Sequence, residues 1–207
     1  MIIISSHYLR MHTYEPKIFT FPILDGISAK SIEEHIGLYN GYVKNFNAIS
    51  AAITDLMSDT TKNMHALSEL TRRASFEFDG MRLHELYFSQ LEKQVALQND
   101  SEFTTAVTKQ FGSTTSLVSQ MKQVGLMRGP GWSILYYDND AAAFHIGFAG
   151  EQHQGHYASL PILLALDVWE HAFLVDYGTQ GKATYIDAFF KNLDWRAVEN
   201  RFAGLRT

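Results

Sequence analysis

The stretch Asp167-Val168-Trp169-Glu170-His171-Ala172-Phe173 decides how this chain is read. It follows the apolar run Leu160 to Leu166, and together residues 160–167 have the composition of a buried strand. Two carboxylates, an indole and an imidazole then fall within five residues. Polar groups at the end of a buried run must be paired, or must hold something charged. Asp with His suits a hard or borderline transition metal, and His is the commonest metal ligand. Taken alone, the cluster fits a buried Asp–His hydrogen bond without metal equally well. The rest of the chain has to supply further ligands.

Working upstream, Trp132 to Tyr137 and Ala143 to Phe148 are aromatic and β-branched runs around Asp138-Asn139-Asp140, the pattern of a β-hairpin. Gly129-Pro130-Gly131 separates them from two helical segments, about Ser101–Phe111 and Thr114–Leu126. Further upstream, Ile32, Ile36, Tyr39, Val43, Phe46, Ile49, Ile53 and Leu56 recur at spacings of three and four. They predict a long amphipathic helix from a Ser28 cap to about Met57. Ser58-Asp59-Thr60-Thr61 breaks it. A second helix carries Gly80 to Phe88 and fades by Asn99-Asp100. Downstream of the central stretch, Ala183 to Leu193 and Arg196 to Phe202 read as helices, and residues 1–27 read as an irregular arm. The expected fold class is α+β. A long antiparallel α-hairpin (residues 1–100) precedes a C-terminal α/β domain (residues 101–207) with a small, mainly antiparallel, three-stranded sheet.

Composition narrows the function. The chain has 207 residues, 46% of them hydrophobic, enough for a substantial core. Its net charge of −5, with no basic patch, argues against nucleic acid as a partner. With no cysteine, thiol nucleophiles, disulfides and iron–sulfur clusters are excluded, and any metal must rest on nitrogen and oxygen. No run is long enough to span a bilayer, and Met1 to Arg10 lacks the plan of a signal peptide. A cytoplasmic protein is expected.

The central stretch resembles the metal-binding signature of the iron/manganese superoxide dismutases. Asp176-Tyr177, Tyr185-Ile186-Asp187-Ala188-Phe189, Lys191-Asn192 and Trp195 follow it as in that family. Residues 28–35, Tyr42-Val43-Lys44-Asn45-Phe46-Asn47, Gly80-Met81-Arg82-Leu83-His84 and Gly131-Trp132 resemble its other landmarks. The resemblance implies the ligands His35, His84, Asp167 and His171 and one Fe or Mn ion per subunit. It also implies disproportionation of superoxide to O₂ and H₂O₂, with the metal cycling between +3 and +2. A catalytically altered, metal-binding relative is the alternative.

The resemblance also implies a surrounding shell. Tyr42 matches a proton-relaying tyrosine, and Trp132 and Trp169 match tryptophans that wall the site. Glu170 matches a glutamate that reaches the equivalent of His171 in a second subunit, so a homodimer is expected, with pairing into tetramers left open. One branch of the family places a Gln four residues before the second ligand, to bond solvent at the metal. Here that residue is Gly80, so the loop Glu151-Gln152-His153-Gln154-Gly155-His156 is expected to supply the group. His153 is the first choice and Gln152 the second. Three departures stand out. His35 to Tyr42 is one residue shorter than usual, as when a π-bulge is gained or lost. Tyr39 and Leu174 replace the His–Tyr gateway pair. Gly181-Lys182 stands where many relatives have an Arg, which makes Lys182 a candidate for steering an anion.

Overall fold

The computed structural model of the chain describes residues 12–205. The segment Met1 to Arg10, read as unlike a signal peptide, lies outside them. The irregular arm enters the described part at residue 12 and ends where Ser28 caps α1 (Ala29–Leu56), its hydroxyl accepting from the Ser31 main chain. His35, Tyr39 and Val43 are spaced by four, so they form one buried stripe along this helix. A single 3₁₀ turn at Met57–Asp59 reverses the chain, and Asp59 caps α2 (Thr60–Ser89). The two helices form the expected antiparallel hairpin.

The second helix stops at Ser89, ten residues before the fade expected at Asn99. The cause is Gln90. Its carboxamide donates to the Ala165 carbonyl, and its own carbonyl accepts from Asp194 N at 2.8 Å. These bonds tie residue 90 to the sheet and to the C-terminal segment, so the chain cannot continue as a helix. It resumes at α3 (Glu102–Phe111) and α4 (Thr114–Gly125), capped by Ser101 and Ser113. Gly112, at φ +83°, makes the left-handed turn between them.

Three antiparallel strands follow: β1 (Gly131–Asp138), β2 (Ala143–Gly150) and β3 (Ile162–Asp167), in the order β2-β1-β3. All but the last residue of central β1 are buried. Such two-sided burial explains why it reads as a continuous apolar and aromatic run, without alternation. Trp132 pairs with Asp167 across β1 and β3, which puts both side chains on the same face at the sheet's end. A 3₁₀ turn (Glu170–Ala172) and α5 (Leu174–Tyr177) then lead to α6 (Lys182–Asn192) and α7 (Trp195–Ala203). One continuous apolar core joins the hairpin to the sheet, including Val43, Met81 and Phe88 with Ala165, Leu166 and Phe189. Among the described residues, no helix is long and apolar enough to cross a membrane.

Candidate metal centre

Four side chains converge where the helical hairpin meets the end of β3. His35 comes from α1, His84 from α2, Asp167 from the last position of β3, and His171 from the 3₁₀ turn. One nitrogen or oxygen of each lies within 4.8 Å of the others. That is close to the ~4 Å span imposed by a shared ion about 2.1 Å from each ligand. Asp167 Oδ2 sits 3.2 Å from His35 Nε2, 3.1 Å from His171 Nε2 and 3.7 Å from His84 Nε2. The other carboxylate oxygen accepts from Trp169 N at 2.8 Å, which fixes the rotamer. His35, His84 and Asp167 are buried, while His171 is 19% exposed.

His84 shows that the donor set suits a cation. Its Nδ1 lies 2.6 Å from the Gly80 carbonyl, so that nitrogen carries the proton. Its Nε2 is buried with no hydrogen-bond partner and faces Asp167 Oδ2. In the neutral ring this is a lone pair facing a carboxylate oxygen, an arrangement that a cation between them converts from repulsion to attraction. A second proton on the ring is disfavoured. Burial, with His35 beside it, lowers the His84 pKa to about 3. Burial lowers His35 as well, against the pull of Asp167. Burial alone would raise Asp167, but the charge and hydrogen bond of His171, with His35, carry it below the usual carboxylate range. Neutral imidazoles and an ionised carboxylate are the forms that ligate metal, so the residues fit an ion.

Aromatic rings enclose the cluster. Trp132 lies 5.2 Å from the His84 ring, Tyr42 lies 5.0 Å from it, and Trp169 stacks on His171 at 5.7 Å. The sequence reading gave no site role to two further walls: Tyr87, 4.9 Å from His35, and Phe88, 5.0 Å from it. Their positions one turn beyond His84 were a usable signal, since such residues share its helix face. Tyr87 is held in turn by the Tyr185 hydroxyl at 3.1 Å.

The loop after β2 places Gln152 and His153 differently. Gln152 is fully buried. Its Nε2 donates to the Tyr42 hydroxyl at 2.8 Å, and its Oε1 accepts from Trp132 Nε1 at 2.8 Å. His153 makes no hydrogen bond to this network: its ring lies 5.7 Å from Phe76, and its buried Nδ1, 3.9 Å from Glu151, has no hydrogen-bond partner. The hydrogen bonds therefore join Gln152 to the site, where sequence reasoning had put His153 first. Burial and the charge of Asp167 raise the pKa of the Tyr42 phenol.

Other candidates fall outside the cluster. Glu170 is exposed beside the half-exposed Trp169 and His171, and Leu174 is 39% exposed just beyond it. Tyr39 is fully buried with its hydroxyl turned toward the arm, 2.8 Å from Lys17 N and 3.3 Å from Glu85. The Lys182 ammonium donates to the Met127 carbonyl at 2.8 Å. Burial lowers its pKa, against the pull of Glu170 and Asp167. Helix α1 runs unbroken through the shortened interval between His35 and Tyr42.

Comparison with known proteins agrees with this geometry. A family model described as "Iron/manganese superoxide dismutases, C-terminal domain" matches residues 99–201. A superoxide dismutase [Fe] of Aquifex pyrophilus is 31% identical over 198 residues, covering 93% of this chain and 92% of the relative. One from Cupriavidus metallidurans is 33% identical over 183 residues, covering 87% and 90%. A mitochondrial superoxide dismutase [Mn] of Glossina morsitans morsitans is 25% identical over 196 residues, covering 93% and 89%. With relatives this similar over nearly their whole length, the chain belongs to the iron/manganese superoxide dismutase family.

Proposed function

We infer that this chain is an antioxidant enzyme that disproportionates superoxide, using one Fe or Mn ion held by His35, His84, Asp167 and His171. The observation that carries the reading is the orphaned His84 Nε2 facing Asp167 Oδ2 across the buried cluster. An ion held by these four residues would supply one-electron transfer in both directions, so that one superoxide leaves as O₂ and the next, with one electron and two protons, leaves as H₂O₂.

The chain's own residues handle protons and access. Tyr42 keeps its proton at physiological pH, because its pKa is raised. Its oxygen already accepts from Gln152 Nε2, so its O–H is free to donate toward the reacting oxygen. Gln152 in turn is held by Trp132, and we propose Gln152 rather than His153 as the residue that orients solvent and substrate beside Tyr42. Trp132, Trp169, Tyr87 and Phe88 keep bulk water from the buried ligands.

Two further features belong to the proposal. Glu170, exposed next to His171 and near the exposed Leu174 and Val175, supports a homodimer in which it reaches the site of a second copy. The family model that begins at residue 99 supports a domain division near residue 100. The direct test is purification with elemental analysis and a superoxide-consumption assay. Metal bound in equal amount with the chain and rapid consumption are expected. A protein inactive after loading with either Fe or Mn refutes the reading.

A further inference from the structure

Gln152 is held at its side-chain end by Trp132 and Tyr42, yet it sits in a loop. The turn is closed locally by paired main-chain bonds, Gly150 N to Gln154 O at 2.8 Å and Gln154 N to Gly150 O at 3.1 Å. A third anchor comes from outside this turn. His156 Nε2 lies 3.0 Å from the Gln152 carbonyl, and His156 Nδ1 lies 2.9 Å from the Tyr136 hydroxyl. A carbonyl only accepts, so Nε2 must carry a proton. In the neutral ring Nδ1 is then the acceptor, and the Tyr136 hydroxyl donates to it.

Tyr136 is itself fixed. It is 1% exposed, stacks on Tyr157 at 5.1 Å, and accepts from the Tyr157 main chain. Gly147 on the neighbouring strand makes room for it, since a Cβ there would lie 3.1 Å from the Tyr136 ring. Tyr136 and Trp132 stand four residues apart on β1, so they share a face of the strand. One strand therefore grips Gln152 twice: directly by the indole, and through His156 by the phenol.

We propose that His156 is a positioning residue for the site, holding the Gln152 main chain so that the carboxamide stays aimed at Tyr42. Asp79 also lies near this imidazole. A Gln at 156 can present an N–H at the reach of the imidazole Nε2, whereas a Leu fills the space and donates nothing.

These features define the test. It rests on the proposed metal site in one arm only. In the metal-free protein, the indole N–H of Trp132 reports directly on the Gln152 carboxamide. Its NMR signal is identified by its absence in Trp132→Phe. His156→Leu should shift this signal and speed its hydrogen exchange about fivefold, as expected for weakening one neutral hydrogen bond, and His156→Gln should do neither. In the Mn-loaded protein, His156→Leu should move the midpoint potential in the same direction as Gln152→Ala, and should add nothing in the Gln152→Ala background. If His156→Leu does not fold, His156→Ala is judged by the same criteria. An unchanged Trp132 signal, or an equal shift of potential with and without Gln152, overturns the proposal. Failure of every form to hold Fe or Mn would instead refute the metal reading and leave the indole comparison standing.

Discussion

Replacing Gly80 by Ala adds a single carbon, yet it should disable the site. In an open helix interior this change stabilises by about 0.5–1 kcal/mol, because Ala loses less backbone entropy. Here a Cβ would lie 2.6, 2.7 and 3.0 Å from Cδ1, Cε1 and Cγ of Tyr42. Carbon contacts settle at about 3.5–4.0 Å, so the ring must retreat by about 1 Å. Such overpacking costs roughly 1–3 kcal/mol, which offsets the helical gain and leaves a net loss of about 0–2.5 kcal/mol. The functional effect is larger than the stability effect. The Tyr42 hydroxyl sits 2.8 Å from Gln152 Nε2, and a 1 Å retreat breaks that bond. A misplaced proton donor costs on the order of 10²-fold in rate. Metal content, thermal unfolding and superoxide consumption of Gly80→Ala should be compared with the parent chain. A stabilised variant with full metal content and full activity would show that Tyr42 does not need this space. Gly80→Gln should be worse, because its whole side chain competes with the Tyr42 ring.

Removing a ligand is a separate matter. His171→Ala should abolish retention of Fe or Mn through dialysis, and full occupancy by elemental analysis would contradict the ligand set. Metal-free protein should lose stability to acid early. His84 has a folded pKa below the unfolded value of 6.5, so its contribution is complete above pH 6.5 and is lost as pH falls toward about 3, and His35, lowered in the same direction, adds to the loss below pH 6.5. Asp167 is also depressed, and its share is lost only below the unfolded carboxylate value of about 3.9. Urea midpoints that stay flat between pH 7 and 4 would contradict this assignment. Glu170→Ala should shift the sedimentation of the proposed homodimer toward monomer, and an unaltered profile would remove Glu170 from its interface.

Much of this was legible in the sequence, for identifiable reasons. The long helices announced themselves by the three-and-four spacing of Ile32 through Leu56, and the sheet by aromatic runs between turn residues. The metal cluster was legible only through family resemblance, because nothing in periodicity distinguishes His35 or His84 from an ordinary helix histidine. What escaped were contacts made by residues far apart in sequence. The stop at Ser89 depends on Gln90 meeting Ala165 and Asp194. The choice between Gln152 and His153 depends on which face of a loop turns inward, and loop residues have no period from which to read it. Tyr87 and Phe88, three and four residues beyond the implied ligand His84, could have been assigned to the wall from that spacing alone.

The shortened interval in α1 illustrates how such contacts act together. Seven residues separate His35 from Tyr42, and an α-helix advances about 100° per residue, so Tyr42 returns to within about 20° of the His35 direction, about 10 Å along the axis. A regular helix therefore aims both side chains at the same side of the hairpin without a bulge. That direction brings the Tyr42 ring onto the facing helix at residue 80, where any side chain would collide with it. With Gly80 required there, residue 80 itself presents no carboxamide to the site. A carboxamide does reach Tyr42 from the sheet side, where Gln152 Nε2 lies 2.8 Å from its hydroxyl. The regular helix, the glycine and the loop glutamine are thus one linked solution: each of the three removes the alternative to the next.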